Sequence, residues 1–105
     1  MITVNDLINS IVYYNKQLSK FQNLINSTVF KITRNNYCFR IIRPINDEDQ
    51  LYYIETNLYG NKTFKYYNFT NQEFDNGDKG MSNYSKSIFD CLDVINKIEK
   101  SALTT

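Results

Sequence analysis

Histidine and tryptophan are absent from this chain, and among its 105 residues there are one proline, three glycines and two cysteines. Each scarcity excludes something. Without histidine there is no Ser-His-Asp or Cys-His nucleophile system and no His-containing metal site. Cys38 and Cys91 are far apart and show no CxxC spacing, and two cysteines cannot build a four-cysteine zinc site. Their simplest reading is as reduced, structural residues of a cytoplasmic protein, with a single disulfide between them as the alternative. No GxGxxG, GxxxxGK[ST] or Ser-x-x-Lys pattern occurs. The opening Met-Ile-Thr-Val-Asn-Asp lacks the basic stretch of a secretion signal. No apolar run approaches the roughly 20 residues that span a bilayer.

What is present is a core-forming composition. Apolar residues make up 42% and aromatics 15%, all of them Tyr or Phe. Asn, Ile, Lys and Tyr are abundant, whereas Ala102 is the only alanine and Pro44 the only proline. That bias follows AT-rich codons and points to a low-GC genome, such as that of certain bacteria and their phages. The formal net charge of +1 supplies no global field to recruit nucleic acid or membrane, so electrostatic function must come from local patches. Asn26, Asn61, Asn68 and Asn83 match the Asn-x-Ser/Thr pattern, which a chain rich in these residues produces by chance. A chain of this length forms one domain and hides about two-thirds of its unfolded surface without metals or disulfides.

Periodicity divides the chain. Thr3 and Asp6 have capping-box spacing, and Val4, Leu7, Ile11, Tyr14, Leu18, Phe21 and Ile25 follow a 3-4 rhythm. A helix over about 4 to 26 is therefore expected. The rhythm then becomes two. Thr28 to Arg34 and Tyr37 to Arg43 read as strands around an Asn35-Asn36 turn, placing Phe30 opposite Ile41 and Ile32 opposite Phe39. On the other side Lys31 faces Arg40, a like-charge pair that calls for a carboxylate or anion nearby. Leu51 to Tyr59 and Thr63 to Thr70 form a second hairpin with two possible registers. A two-residue turn at Gly60-Asn61 sends Tyr67 and Phe69 to the core, and a three-residue loop sends Phe64 and Tyr66 there. Asn71 to Asn83 reads as a long loop, and Ser87 caps a final helix with Asp90 in its first turn. The expected fold is α+β: a helix, four antiparallel strands in two hairpins and a helix, in two layers with one sheet face open.

Two surfaces are candidates for contact. The open sheet face presents Lys31, Arg40, Ile42, Tyr53 and Glu55, with either Lys65 and Tyr67 or Lys62 and Tyr66. Tyr and Arg concentrate binding energy at protein interfaces, and Tyr53 is the natural central anchor. The second is a pair of acidic loops carrying Asp47, Glu48 and Asp49, and Glu73, Asp75 and Asp78. Three consecutive acids are more simply solvated than metal-bound, and Asp75 to Gly80 departs from an EF-hand at Gly77, Lys79 and Lys86. Carboxylate-pair hydrolysis through Glu55 or Glu73 needs a shaped cleft, which a thin domain rarely supplies. No enzyme activity, cofactor or metal is expected.

Size, composition and element order over the whole chain are similar to those of small proteins that disable host nucleases, anti-CRISPR proteins among them. The resemblance implies a protein-binding module of a phage or mobile element that blocks a host protein by occupying a groove on it. A small nucleic-acid-binding domain using Lys31, Arg40 and Lys65 is the alternative. A homo-oligomer closed through the sheet face or the first helix is a third, and Val12 and Tyr13 off the helix seam are the residues to watch.

Overall fold

In a computed structural model the structure describes residues 2–18, 26–44, 51–58, 62–77 and 82–104. Helix α1 spans Val4–Leu18, and five strands follow: β1 Asn26–Arg34, β2 Tyr37–Pro44, β3 Tyr53–Leu58, β4 Lys65–Asn68 and β5 Glu73–Asp75. A short 3-10 turn, Ser82–Tyr84, leads into helix α2, Ile88–Thr104. The strands form one antiparallel meander in the order β1-β2-β3-β4-β5.

The caps act as their spacing requires. The Thr3 N–H donates to the Asp6 carboxylate at 2.9 Å, and the Asp6 N–H returns to the Thr3 hydroxyl at 3.1 Å. At α2 the Asp90 N–H donates to the Ser87 hydroxyl, which in turn donates to the Asp90 carboxylate at 3.0 Å. Described α1 ends at Leu18, residues 19–25 lie outside the described residues, and Asn26 begins β1, so the expected helix limit near 26 is too far along.

The first hairpin has the register its alternation demands, with Phe30 on Ile41, Lys31 on Arg40 and Ile32 on Phe39. Asn35 and Asn36 take φ of 50° and 69°, the left-handed pair of a type I′ turn, which asparagine tolerates. In the second hairpin Glu55 pairs with Tyr66 and Thr56 with Lys65, which is the register of the two-residue reading. Residues 59–61 themselves lie outside the described residues.

One further expectation is overturned. The sheet has five strands, because Glu73–Asp75 pairs with β4 where a loop was expected. A three-residue strand with Phe74 as its one apolar residue has no alternation to detect. It is held by β4 itself: the Asn68 side-chain oxygen accepts the N–H groups of Thr70 and Asn71, and the Asn68 carbonyl accepts the N–H of Gln72. Gln72 closes the turn at φ 57°.

One cluster of buried side chains joins both helices to the sheet. Leu7 of α1 and Cys91, Leu92, Val94 and Ile95 of α2 meet Phe30, Phe39, Ile41, Ile54 and Tyr67. The ends are tied together as well. Asn96 accepts from the Ile2 N–H at 2.8 Å and donates back to the Ile2 carbonyl at 3.1 Å. Arg34 reaches Glu99 at 2.8 Å, linking the first hairpin's tip to α2. Between β5 and α2 the chain borrows a strand position, since Tyr52 and Lys86 exchange backbone hydrogen bonds of 2.8 and 2.9 Å. This contact ties the backbone just before α2 to the residue just before β3.

Candidate functional site

The sheet face opposite the core cluster carries one cross-strand row, Lys31, Arg40, Glu55, Tyr66 and Asp75, one residue from each strand. The carboxylate that the Lys31–Arg40 pair calls for is Glu55, directly across from Arg40 and 4.0 Å from its guanidinium. The face is not open at its centre. Tyr53 is 2% exposed and Glu55 9% exposed, and Ile42, Cys38 and Asn68 are buried beside them. Tyr53 lies on a central strand, opposite Ile42 and with the Tyr66 ring edge-on at 5.8 Å, so neighbours on both sides cover it. Burial, reinforced by Glu55 and Tyr66, raises its phenol well above the ordinary tyrosine range. Tyr53 and Glu55 are therefore enclosed among their neighbours, not exposed on this face as expected.

Over β4 and β5 the same face is closed by Tyr84. Its hydroxyl donates to Asp75 at 2.6 Å, the Gly77 N–H donates to the same oxygen at 2.8 Å, and the Asn68 amide donates to the second oxygen at 3.3 Å. These bonds, Tyr84's foremost, hold the Asp75 carboxyl below the ordinary carboxylate range. Asp75 is a structural brace, not a free acidic loop residue. Glu73 is exposed, while Asp47, Glu48, Asp49 and Asp78 lie outside the described residues. Lys31 and Lys65 are exposed and Arg40 is half-buried. Lys65 has the strand parity of Tyr67, which places both on the helix side rather than with Lys31 and Arg40.

Tyr67 is the residue whose placement changes most. It is 9% exposed and belongs to the helix-side core, because the two-residue register turns it toward α2. There it forms the floor of a groove between α2 and the β4–β5 hairpin. Two adjoining recesses, of about 270 and 380 Å³, share Tyr67, Gln72, Val94 and Lys97. The first adds Phe69, Lys86, Asp90 and Asp93, and the second adds Glu73, Phe74 and Ile98.

The floor is a rigid aromatic set. Phe69 and Phe74 stand edge-on to Tyr67 at 5.0 and 5.2 Å, and Phe74 continues to Phe39 at 5.7 Å. The groove lies between α2 and the edge hairpin β4–β5, and the Tyr52–Lys86 bridge holds the backbone just before α2. Two of the residues singled out from sequence, Tyr67 and Glu73, thus meet in one site. Phe69 enters the sequence reading only as a core residue of one register, and Phe74, Val94 and Lys97 carry no mark as site residues, since the fifth strand has no sequence signal.

The Tyr67 hydroxyl makes no hydrogen bond among the described residues, and it is not among their sealed, partnerless polar atoms, which are Arg40 Nε and Glu99 Oε2. Lys97 likewise has no ion pair or hydrogen bond among the described residues, although Asp93 lies one turn away. Among the described residues no group of three or more His, Cys, Asp or Glu side chains could hold a metal ion, and no helix is long and apolar enough to cross a membrane. Compared with known proteins, the chain matches no protein-family model, no curated protein and no solved structure.

Proposed function

We propose that this chain is a non-enzymatic protein-binding module that takes a segment of its partner into the groove between α2 and the β4–β5 hairpin, in a two-layer fold. The observation that carries the reading is the aromatic floor of Tyr67, Phe69 and Phe74, in a groove lined by charges of both signs. Preformed aromatic surface binds at low entropic cost, and a mixed rim sets register. In this reading the module acts sterically, as an accessory inhibitor of phage or mobile-element origin does when it occupies a host protein's working surface.

The test is capture of a partner from a low-GC bacterial lysate by the immobilised chain. Asp93→Trp, at an exposed position of α2, fills the first recess and abolishes capture without changing the thermal midpoint. Lys31→Ala with Arg40→Ala leaves capture intact. The reverse pattern moves the contact to the other face and ends this reading.

A homo-oligomer has an observation of its own. Val4, Ile8 and Val12, on successive turns of α1, are 47%, 50% and 49% exposed, and Tyr13 is 58% exposed. Sedimentation at micromolar concentration decides it: a single monomeric species at all concentrations closes that reading.

A further inference from the structure

The Tyr84–Asp75 brace ends on Asn76-Gly77, the one place in the chain where glycine follows asparagine. Such a pair is chemically labile. The backbone nitrogen after an asparagine can attack the side-chain carbonyl carbon, and glycine, with no Cβ, hinders that approach least. Here the Gly77 nitrogen would bond to Asn76 Cγ while the Cγ–Nδ2 bond breaks. The side-chain nitrogen leaves as ammonia, carrying the proton of the Gly77 N–H. Water then opens the cyclic imide at either carbonyl, giving aspartate or isoaspartate.

Asn76 is exposed, so water reaches it. The attacking group is placed differently. The Gly77 N–H donates to Asp75 Oδ1 at 2.8 Å, and the same oxygen accepts the Tyr84 hydroxyl at 2.6 Å. The Asn68 amide donates to the second oxygen at 3.3 Å. Attack requires the Gly77 nitrogen to lose its proton and turn toward Asn76 Cγ. The bond to Asp75 opposes both steps, because a carboxylate that accepts the N–H also repels the amide anion that would form. Nor is Asp75 a base suited to removing that proton, since its donors, Tyr84 foremost, hold its carboxyl below the ordinary range.

Glycine is required at this position for space. A Cβ on residue 77 would stand 1.7 Å from the Tyr84 hydroxyl oxygen. The brace thus demands the residue that makes Asn76 labile, and it restrains the atom that would react.

We propose that Asn76 is a site of spontaneous deamidation, latent while Tyr84 and Asp75 hold the Gly77 N–H and reactive once that brace opens. Isoaspartate adds a carbon to the main chain between Asp75 and Gly77, lengthening the turn that their hydrogen bond closes. Asp75 is the last residue of β5, so the modification acts on the edge hairpin of the sheet.

The experiment incubates the full chain at neutral pH, in native buffer and in guanidinium chloride. Protease digests are followed by mass, for the gain that exchanging an amide for an acid gives, and by chromatography, for the aspartate and isoaspartate forms of the peptide containing Asn76. The native chain reacts at least about tenfold more slowly than the unfolded one, as a site that must open first does. Tyr84→Phe and Asp75→Ala both raise the native rate, Asp75→Ala the more, while slow amide exchange in β2 and β3 shows the sheet intact. Asn76→Ser abolishes the gain in that peptide. Equal rates in the folded and unfolded wild-type chain, a result that needs no variant, overturn the proposal. A faster native rate also overturns it and makes Asp75 a base for the reaction. In the unfolded chain, a gain that appears first at another asparagine refutes the lability of Asn76. A Tyr84→Phe rate equal to that of the wild type removes the brace as the restraint.

Discussion

Two buried tyrosines on adjacent strands show how differently the two sides of this sheet are used. Tyr53 points away from the core cluster, is 2% exposed, and sits in a packed polar surround of Glu55, Arg40 and Tyr66. Tyr67 points into the helix side, is 9% exposed, and keeps its hydroxyl without a partner among the described residues at the floor of a groove. The side expected to be open is closed at its centre, and the helix side has a gap. Helix coverage does not close a face where a groove remains between the helix and the edge hairpin. Nor does its absence open one, because long Arg, Glu and Tyr side chains on central strands shield each other.

The comparison breaks most visibly at Tyr53. Tyr53→Ala leaves a cavity on a closed face and lowers stability by about 3–5 kcal/mol, measured by urea denaturation. A cost near zero would mean that the face is solvated after all. Gly77 comes next. A Cβ there would run into the Tyr84 hydroxyl and ring. Gly77→Ala therefore displaces the Tyr84–Asp75 brace at a cost of about 1–3 kcal/mol. Tyr84→Phe, which keeps the ring and removes the hydrogen bond to Asp75, gives the smaller drop in thermal midpoint of the two.

Acid tests the same brace. Asp75 and Asp6 both have carboxyls held below the ordinary 3.8, Asp75 by Tyr84 first and Asp6 by the Thr3 N–H first. A folded-state pKa below the unfolded one adds stability that is present above about pH 4 and lost as pH falls through the folded value. With no histidine in the chain, the thermal midpoint stays flat between about pH 6 and 8 and declines below about pH 4. Asp75→Asn makes that decline shallower. The smallest effect on stability is at the groove. Tyr67→Phe removes a hydroxyl with no partner among the described residues and changes stability by less than about 0.5 kcal/mol. A loss as large as that of Tyr53→Ala would show the two faces to be equivalent.

Much of the fold was legible because its signals are local. Thr3 with Asp6 and Ser87 with Asp90 are reciprocal caps three residues apart, and Asn35-Asn36 accepts the positive φ that its turn needs. Alternation through Phe30 and Ile32 set the β1–β2 register, and that register exposed the unmatched Lys31–Arg40 pair that Glu55 answers. The second hairpin offered two registers of equal merit, since Tyr66 and Tyr67 are equally apt for either face. The choice between them moved Tyr67 from the reverse face to the groove.

By itself, then, the sequence determined the helices' starts, the first hairpin and the chemistry left out of reach by the lack of histidine. Each depends on residues within one turn or one ladder step of each other, or on composition alone. Only the tertiary structure decided that Glu73–Asp75 joins the sheet, that Tyr53 is enclosed and that Tyr67 and Lys97 share a groove. Those outcomes depend on contacts between segments distant along the chain, such as Asp75 with Tyr84 and Tyr52 with Lys86. No local pattern encodes them, because their free energy comes from surfaces that meet only after the chain has closed.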